Sequence, residues 1–295
     1  MLEHMLETFS YLPVSNHELK NWMSLFIDEQ LKGCDDVAFS AQFPFKQTGL
    51  PQRFFQQKII TFAGSDYLTG PRYLGGDVNQ PFIDLVASSS PLTRQAAREI
   101  FKVWQPLGAQ TLRVLRRPGL VSGGTVDQLF YGGTLLPPKP TPSLQLSRAD
   151  MSHFDWCLQA IEQAYAETYR RMPQLRDQVF PTDHQELEVS IRQGEVFMLS
   201  VEQERAGLII CHVGNRAFIH GNWITDEIVV PKFRGRKFAS EAQRQLFAFL
   251  PESHDTPLLW GTIFSGNVPS MRTAQRAGRR PLMEYSFLRE EDIPS

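Results

Sequence analysis

The chain has 295 residues, 21% of them charged and 42% hydrophobic, with a formal net charge of −2. That length provides full cores for one large domain or two ordinary ones, and the near-neutral balance argues against global attraction to nucleic acid or an anionic membrane. Three dispersed cysteines without a CxxC pair argue against a disulfide framework or a zinc cage.

The amino-terminal MLEHMLETF carries acids where a signal peptide needs basic residues, and no run approaches the ~20 apolar residues of a membrane span, so the expected location is cytoplasmic. NHELKNWMSLFIDEQL then reads as a helix and QQKIITFAG as a strand. PFIDLVASSSPLTRQAAREIFKVW reads as strand, turn and helix, with Ser90 as N-cap and Pro91 at the first helical position. It repeats the sense of residues 224–249, which fits either an internal duplication or the chance likeness of one strand–helix unit. TLLPPKPTPS has four prolines in ten positions and reads as an extended connector. The expected division is an N-terminal domain over 1–136, a linker over 137–142 and a C-terminal domain over 143–295.

Beyond the linker, SLQLSRAD reads as a strand and MSHFDWCLQAIEQAYAETYRRM as a long helix with Phe154, Leu158, Ile161 and Tyr165 at helical spacing. Thr182 and Asp183 are placed to cap a further helix through Arg192. EVFMLSV, AGLIICHV and AFIHGNWITDEIVV are strand-like, and the helix after them sets Phe238, Ala242, Leu246 and Phe249 on one face. PLLWGTIF, VPSMRTAQRAG and PLMEYSFL complete the order as strand, helix and strand. The pattern predicts an α/β fold with a mixed sheet flanked by helices.

Where IVV gives way to the helix, Arg234, Gly235, Arg236 and Lys237 put three cations and a glycine in four residues. A helix N-terminus exposes unpaired N–H groups and about half a positive charge. A pyrophosphate fits such a place, with glycine allowing close approach and the cations adding charge-assisted bonds. The plainer alternative is a solvated basic turn.

The segment VVPKFRGRKFA resembles the acetyl-CoA-binding motif of the GNAT superfamily of N-acetyltransferases, V-x-P-x-x-R-G-x-G-x-G/A. Val229, Pro231, Arg234, Gly235 and Ala239 match, and Lys237 stands at the central glycine. SGNVPSMRTAQRAG is similar to the family's next motif through Asn267, Ser270 and Gly278. The resemblance covers roughly residues 143–290 and implies a sheet whose fourth and fifth strands splay around the pantetheine arm. The backbone of Ile228, Val229 and Val230 would pair with that arm, the N–H groups from Arg234 through Arg236, Lys237 and Phe238 to Ala239 would hold the pyrophosphate, and Asn267 and Ser270 would border the arm. The two halves would be similar domains in tandem, the first a degenerate copy without the cofactor motif.

The implied reaction is direct transfer of an acetyl group from acetyl-CoA to a primary amine of a small molecule, without a metal. An ammonium substrate needs a base. Glu227 and Asp226 are the candidates; Glu227 shares strand parity with Val229, Thr225 and Trp223, and a strand-end ion pair is its alternative reading. His212 and His220 are reserves. The family's leaving-group acid, a tyrosine, falls at Ala274, which leaves Tyr285, Ser270 or solvent. The N–H of Val229 or Val230 is the expected oxyanion donor. Tyr165, Tyr169, Trp223 and Tyr285 are candidates for the acceptor pocket. A non-catalytic acyl-CoA sensor is the second reading. Arg272, Arg276, Arg279 and Arg280 form a basic cluster, but without interleaved aromatics it does not support a nucleic-acid partner.

Overall fold

The computed structural model describes residues 1–119, 123–134, 144–250 and 258–294, so the expected linker over 137–142 lies outside the described residues. In chain order come helices α1 (Leu2–Phe9), α2 (Asn16–Lys32), α3 (Val37–Ala41) and α4 (Phe45–Thr48), then strands β1 (Lys58–Phe62), β2 (Ser65–Tyr73) and β3 (Pro81–Ser88). Helix α5 (Arg94–Val103) leads to β4 (Leu112–Arg116) and β5 (Thr125–Thr134). Next are β6 (Leu144–Arg148), α6 (Phe154–Arg171), α7 (His184–Arg192), β7 (Val196–Val201), β8 (Glu204–Arg216) and β9 (Ile219–Val229). Helix α8 (Phe238–Gln245), β10 (Leu258–Phe264), α9 (Val268–Arg276) and β11 (Arg280–Leu288) complete the chain.

Two units result: Met1–Leu129 with Leu282–Ser295, and Phe130–Pro281. This corrects the division at the proline-rich segment. The last strand, expected in the C-terminal domain, pairs antiparallel with β4 from Glu284 opposite Arg116 to Leu288 opposite Leu112. Pairing between strands so distant in sequence leaves no local mark, whereas prolines do.

The N-terminal unit orders its strands β1-β2-β3-β4-β11, antiparallel except for the parallel pair β3–β4. Helix α5 bridges that parallel pair and packs Ala96, Ala97 and Ile100 into a core with Trp104, Ile83, Leu112, Leu288 and Ile293. Its N-cap is Thr93, whose hydroxyl accepts from Ala96 N–H at 3.2 Å. The expected cap, Ser90, instead meets the Tyr67 hydroxyl at 3.0 Å.

The C-terminal unit runs β6-β7-β8-β9 antiparallel, then β10 parallel to β9, with the Phe130–Thr134 end of β5 beyond β10. On one face Cys157, Ala160 and Ile161 of α6 and Leu187 and Ile191 of α7 pack on Val196, Met198, Leu208, Ile210 and Ile228. On the other, Phe238 and Ala242 of α8, with Leu246, pack on Phe197, Leu199, Ile209, Cys211, Ile224 and Leu259. Phe249 joins that cluster, so the four residues expected on one helix face do pack together, although α8 ends at Gln245 and Leu246 and Phe249 follow it. Both units thus follow one topology: antiparallel strands, a strand–helix–parallel strand crossover, and a closing strand drawn from the other half of the sequence.

Candidate active site

Strand β9 carries a bulge. Ile210 faces Asp226 and Cys211 faces Ile224, which leaves Thr225 without a partner in the ladder. The extra residue inverts the alternation beyond it, so the expected parity of Glu227 with Trp223 is corrected. Glu227 falls on the α8 face with Ile224 and Val229, while Asp226 and Ile228 fall on the α6 face.

Among the described residues β9 and β10 pair only at Asn222–Leu259 and Trp223–Trp260. Past that point a cleft of about 150 Å³ opens between them, bordered by Ile224–Ile228 on one side and Gly261–Phe264 on the other. A second cleft of about 620 Å³ shares Ala164, Thr168, Glu227, Ile228, Asn267 and Ser270 with it. This larger cleft runs past Phe233, Arg234 and Gly235 to the mouth of α8 and the flank of α9. Val230 donates its N–H to Ala206 O at 2.9 Å, so it cannot serve as the expected oxyanion donor. By strand alternation the Val229 amide faces the fork.

The mouth of α8 is held open by backbone conformation. Gly235 has φ 78° and Lys237 φ 67°, both left-handed. Lys237 therefore occupies the geometry for which glycine is the low-cost residue, at about 1–2 kcal/mol for any other. No side chain caps the helix, and the Lys237 carbonyl receives the Glu241 N–H at 3.1 Å. The N–H groups of Phe238, Ala239 and Ser240 thus have no intrahelical acceptor, and all three residues border the cleft. A Cβ at Gly235 would meet nothing within 4 Å, which leaves room for a ligand against the backbone. Arg171, Arg234, Lys237, Arg272 and Arg276 border this cleft against only two acids, Glu167 and Glu227.

Two of the expected cations are engaged within the fold. Arg234 donates from Nε to Val229 O at 2.8 Å and from Nη1 to Glu167, bracing the end of β9 against α6. Arg236 lies over the Phe238 ring at 4.8 Å and is not among the residues bordering either cleft. Asn267 and Ser270 border both clefts, and the Asn267 side chain caps α9 by accepting the Ser270 N–H at 3.3 Å. Ala274 is fully buried.

The two carboxylates of β9 differ. Asp226 accepts from Tyr165 OH at 2.6 Å, Thr182 N–H at 2.9 Å and Thr182 Oγ1 at 2.6 Å, which ties α6 and the approach to α7 onto the strand. Asp183, with Glu186 in a capping box, is then the cap of α7. Glu227 borders both clefts and accepts from Gln243 Nε2, with 2.9 Å to each carboxylate oxygen. Burial pushes both acids above the ordinary carboxylate range, while their hydrogen bonds pull the other way. Gln243 in turn accepts from Arg279 Nε at 3.0 Å, and Arg279 Nη1 donates to Tyr131 O at 3.4 Å. Arg279, which the sequence groups with Arg272, Arg276 and Arg280 in a basic cluster, is 7% exposed and borders the smaller cleft. No local signal marks it or Gln243, because both act across the sheet.

Tyr285 belongs to the N-terminal unit, opposite Leu115 and beneath the Arg113 guanidinium at 4.3 Å, and borders neither cleft. His212 sits against the Trp223 ring, Trp223 stacks on Trp260, and His220 pairs across the hairpin with Asn215; none borders the clefts. Tyr165 does border the smaller cleft, while Tyr169 donates to Val179 O at 2.6 Å. In the N-terminal unit the corresponding helix mouth is filled. Thr93 caps it, Arg94 N–H donates to Pro294 O at 2.8 Å, and Arg94 Nε donates to Ile293 O at 3.0 Å.

Among the described residues no group of three or more His, Cys, Asp or Glu could hold a metal, and no helix is long and apolar enough to cross a membrane. No family model and no curated protein matches the sequence. Solved structures similar to the chain include an acetyltransferase of the GNAT family from Colwellia psychrerythraea, with 12% identity over 76% of this chain and 85% of that one, TM-score 0.48. A GCN5-related N-acetyltransferase from Kribbella flavida shares 13% identity over 81% of this chain and 90% of its own, TM-score 0.40. An aminoglycoside acetyltransferase from an uncultured soil metagenomic sample, in complex with sisomicin, shares 12% identity over 45% and 86%, TM-score 0.34.

Proposed function

We propose that the chain is an N-acetyltransferase that moves an acetyl group from acetyl-CoA directly to a primary amine of a small molecule. The observation that carries this reading is the fork between β9 and β10 opening onto the uncapped, left-handed mouth of α8. Unpaired N–H groups, the helix dipole and the surplus of cations suit a pyrophosphate. The diverging strand edge suits an extended amide-bearing arm, as an added strand would. The matches at Val229, Pro231, Gly235, Ala239, Asn267 and Ser270 to the acetyltransferase motifs support the same placement.

In this reading Glu227 takes a proton from the ammonium, directly or through a water, at the junction of the two clefts. The free amine attacks the thioester carbonyl carbon, Val229 N–H donates to the developing oxyanion, and the C–S bond breaks. The nitrogen sheds its remaining extra proton to solvent as the intermediate collapses, and the thiolate takes one up from solvent, directly or relayed through Ser270. Arg272, Arg276 and Lys237 hold the nucleotide phosphates. With Tyr285 in the other unit, Ala274 apolar and buried, and the Tyr165 hydroxyl donated to Asp226, the site offers the leaving group no uncommitted phenol, and this favours a second reading in which the chain binds acyl-CoA as a sensor.

Thiol release from acetyl-CoA across a panel of primary amines separates the two. Turnover with at least one amine, abolished in Glu227→Gln while binding persists, is expected. Tight binding without turnover for any amine would favour the sensor, and no binding would refute both.

A further inference from the structure

The acid on β9 is wired to a buried cation through a neutral spacer. Arg279 can only donate, so its bond to Gln243 Oε1 identifies that atom as the carbonyl oxygen and turns the Gln243 amide nitrogen toward Glu227. Gln243 is 1% exposed, so no water competes for the orientation. A direct guanidinium–carboxylate pair would hold Glu227 permanently ionised; an isolated buried carboxylate would stay protonated. The amide between them places Glu227 between these limits.

Gly261 makes the arrangement sterically feasible. A Cβ there would stand 2.9 Å from Ile224 O and 3.3 Å from Arg279 Nη1, so a side chain on β10 would force the β9 backbone to shift and press the guanidinium back by a few tenths of an ångström. Other charged or titratable groups around Glu227 have other duties. Asp226 lies on the opposite face, bound to Tyr165 and Thr182, and Glu167 is paired with Arg234 and Arg171. Cys211 and Tyr131 flank Arg279.

We propose that Gln243 and Arg279 are the positioning pair that sets the ionisation of Glu227, and through it the pH at which the chain works. This rests on the acetyltransferase reading only where Glu227 is the base; the coupling itself does not. The test compares wild type with Gln243→Met, of similar length and helix propensity, and with Arg279→Lys, which keeps the charge. Glu227 is titrated by its carboxyl infrared band, isolated by subtracting Glu227→Gln, and the acidic limb of kcat/KM is measured with acetyl-CoA and an accepted amine.

Gln243→Met should move the Glu227 titration and the acidic limb together to higher pH, by about one unit or a tenfold change in proton affinity, and Arg279→Lys should move both less. An unmoved Glu227 titration in a folded Gln243→Met or Arg279→Lys protein overturns the proposal. A titration that moves while the acidic limb stays still upholds the coupling and refutes Glu227 as the base. A merely structural role would lower stability without displacing either pH curve.

Discussion

Glu227 sits where two requirements conflict. Catalysis in the proposed sense needs a carboxylate that holds a proton well, and burial beside Gln243 provides that by penalising the charged form. The cost falls on the fold. A raised acid keeps a proton in the folded state that the unfolded chain has lost, so stability falls as pH climbs from the ordinary Glu value through the raised one. Glu227→Gln should therefore gain thermal stability over wild type near neutral pH and show no gain well below the ordinary Glu value, as melting curves across that range will show. Lys237 presents a similar trade. Its left-handed backbone is strained for a side chain, so Lys237→Gly should raise stability by up to ~1 kcal/mol. The same change removes a cation from the cleft, so it should weaken acetyl-CoA binding in titration calorimetry, most at low salt.

At the scale of elements, the two strand–helix crossovers show what separates a filled helix mouth from an open one. Helix α5 has Thr93 as its cap and the Pro294 carbonyl on its next N–H group; α8 has no side-chain cap at all. Thr93→Ala should cost about 1 kcal/mol of stability, measured by denaturant unfolding, without touching acetyl-CoA affinity. The strands, the apolar face of α8 and the open turn at Arg234–Lys237 were legible in the sequence because each is written in neighbouring residues: alternation, helical spacing, a glycine among cations. The bulge at Thr225 was not, since one unpaired residue inside a continuous strand-like run has no composition of its own. Its consequence, Glu227 facing α8 and Asp226 facing α6, was illegible for the same reason, and so were Gln243 and Arg279, whose roles exist only once α8 and the fork are assembled.

For the molecule as a whole, the exchange of closing strands sets what can be cut. Leu288 and Ile293 belong to the core of the N-terminal unit although they end the sequence, and the Phe130 ring stacks on Trp260 in the C-terminal unit although it precedes the proline-rich segment. Removing residues 282–295 should therefore unfold the N-terminal unit, lowering the denaturant midpoint of that transition, where a tandem of self-contained domains would lose little. The like strand order of the two units has one echo in the sequence, the repeated strand–helix unit, which fits duplication and chance alike; the exchange had no local signature, because a strand does not name its partner. All of the proposed chemistry lies in the C-terminal unit, at the fork and the mouth of α8. Titration calorimetry of acetyl-CoA into wild type and Gly235→Asp tests that placement most directly, since the substitution adds a carboxylate to open space beside the unpaired N–H groups. Wild type should bind saturably and the folded variant at least tenfold more weakly, about 1.4 kcal/mol; equal affinities, or no binding by wild type, would refute the placement.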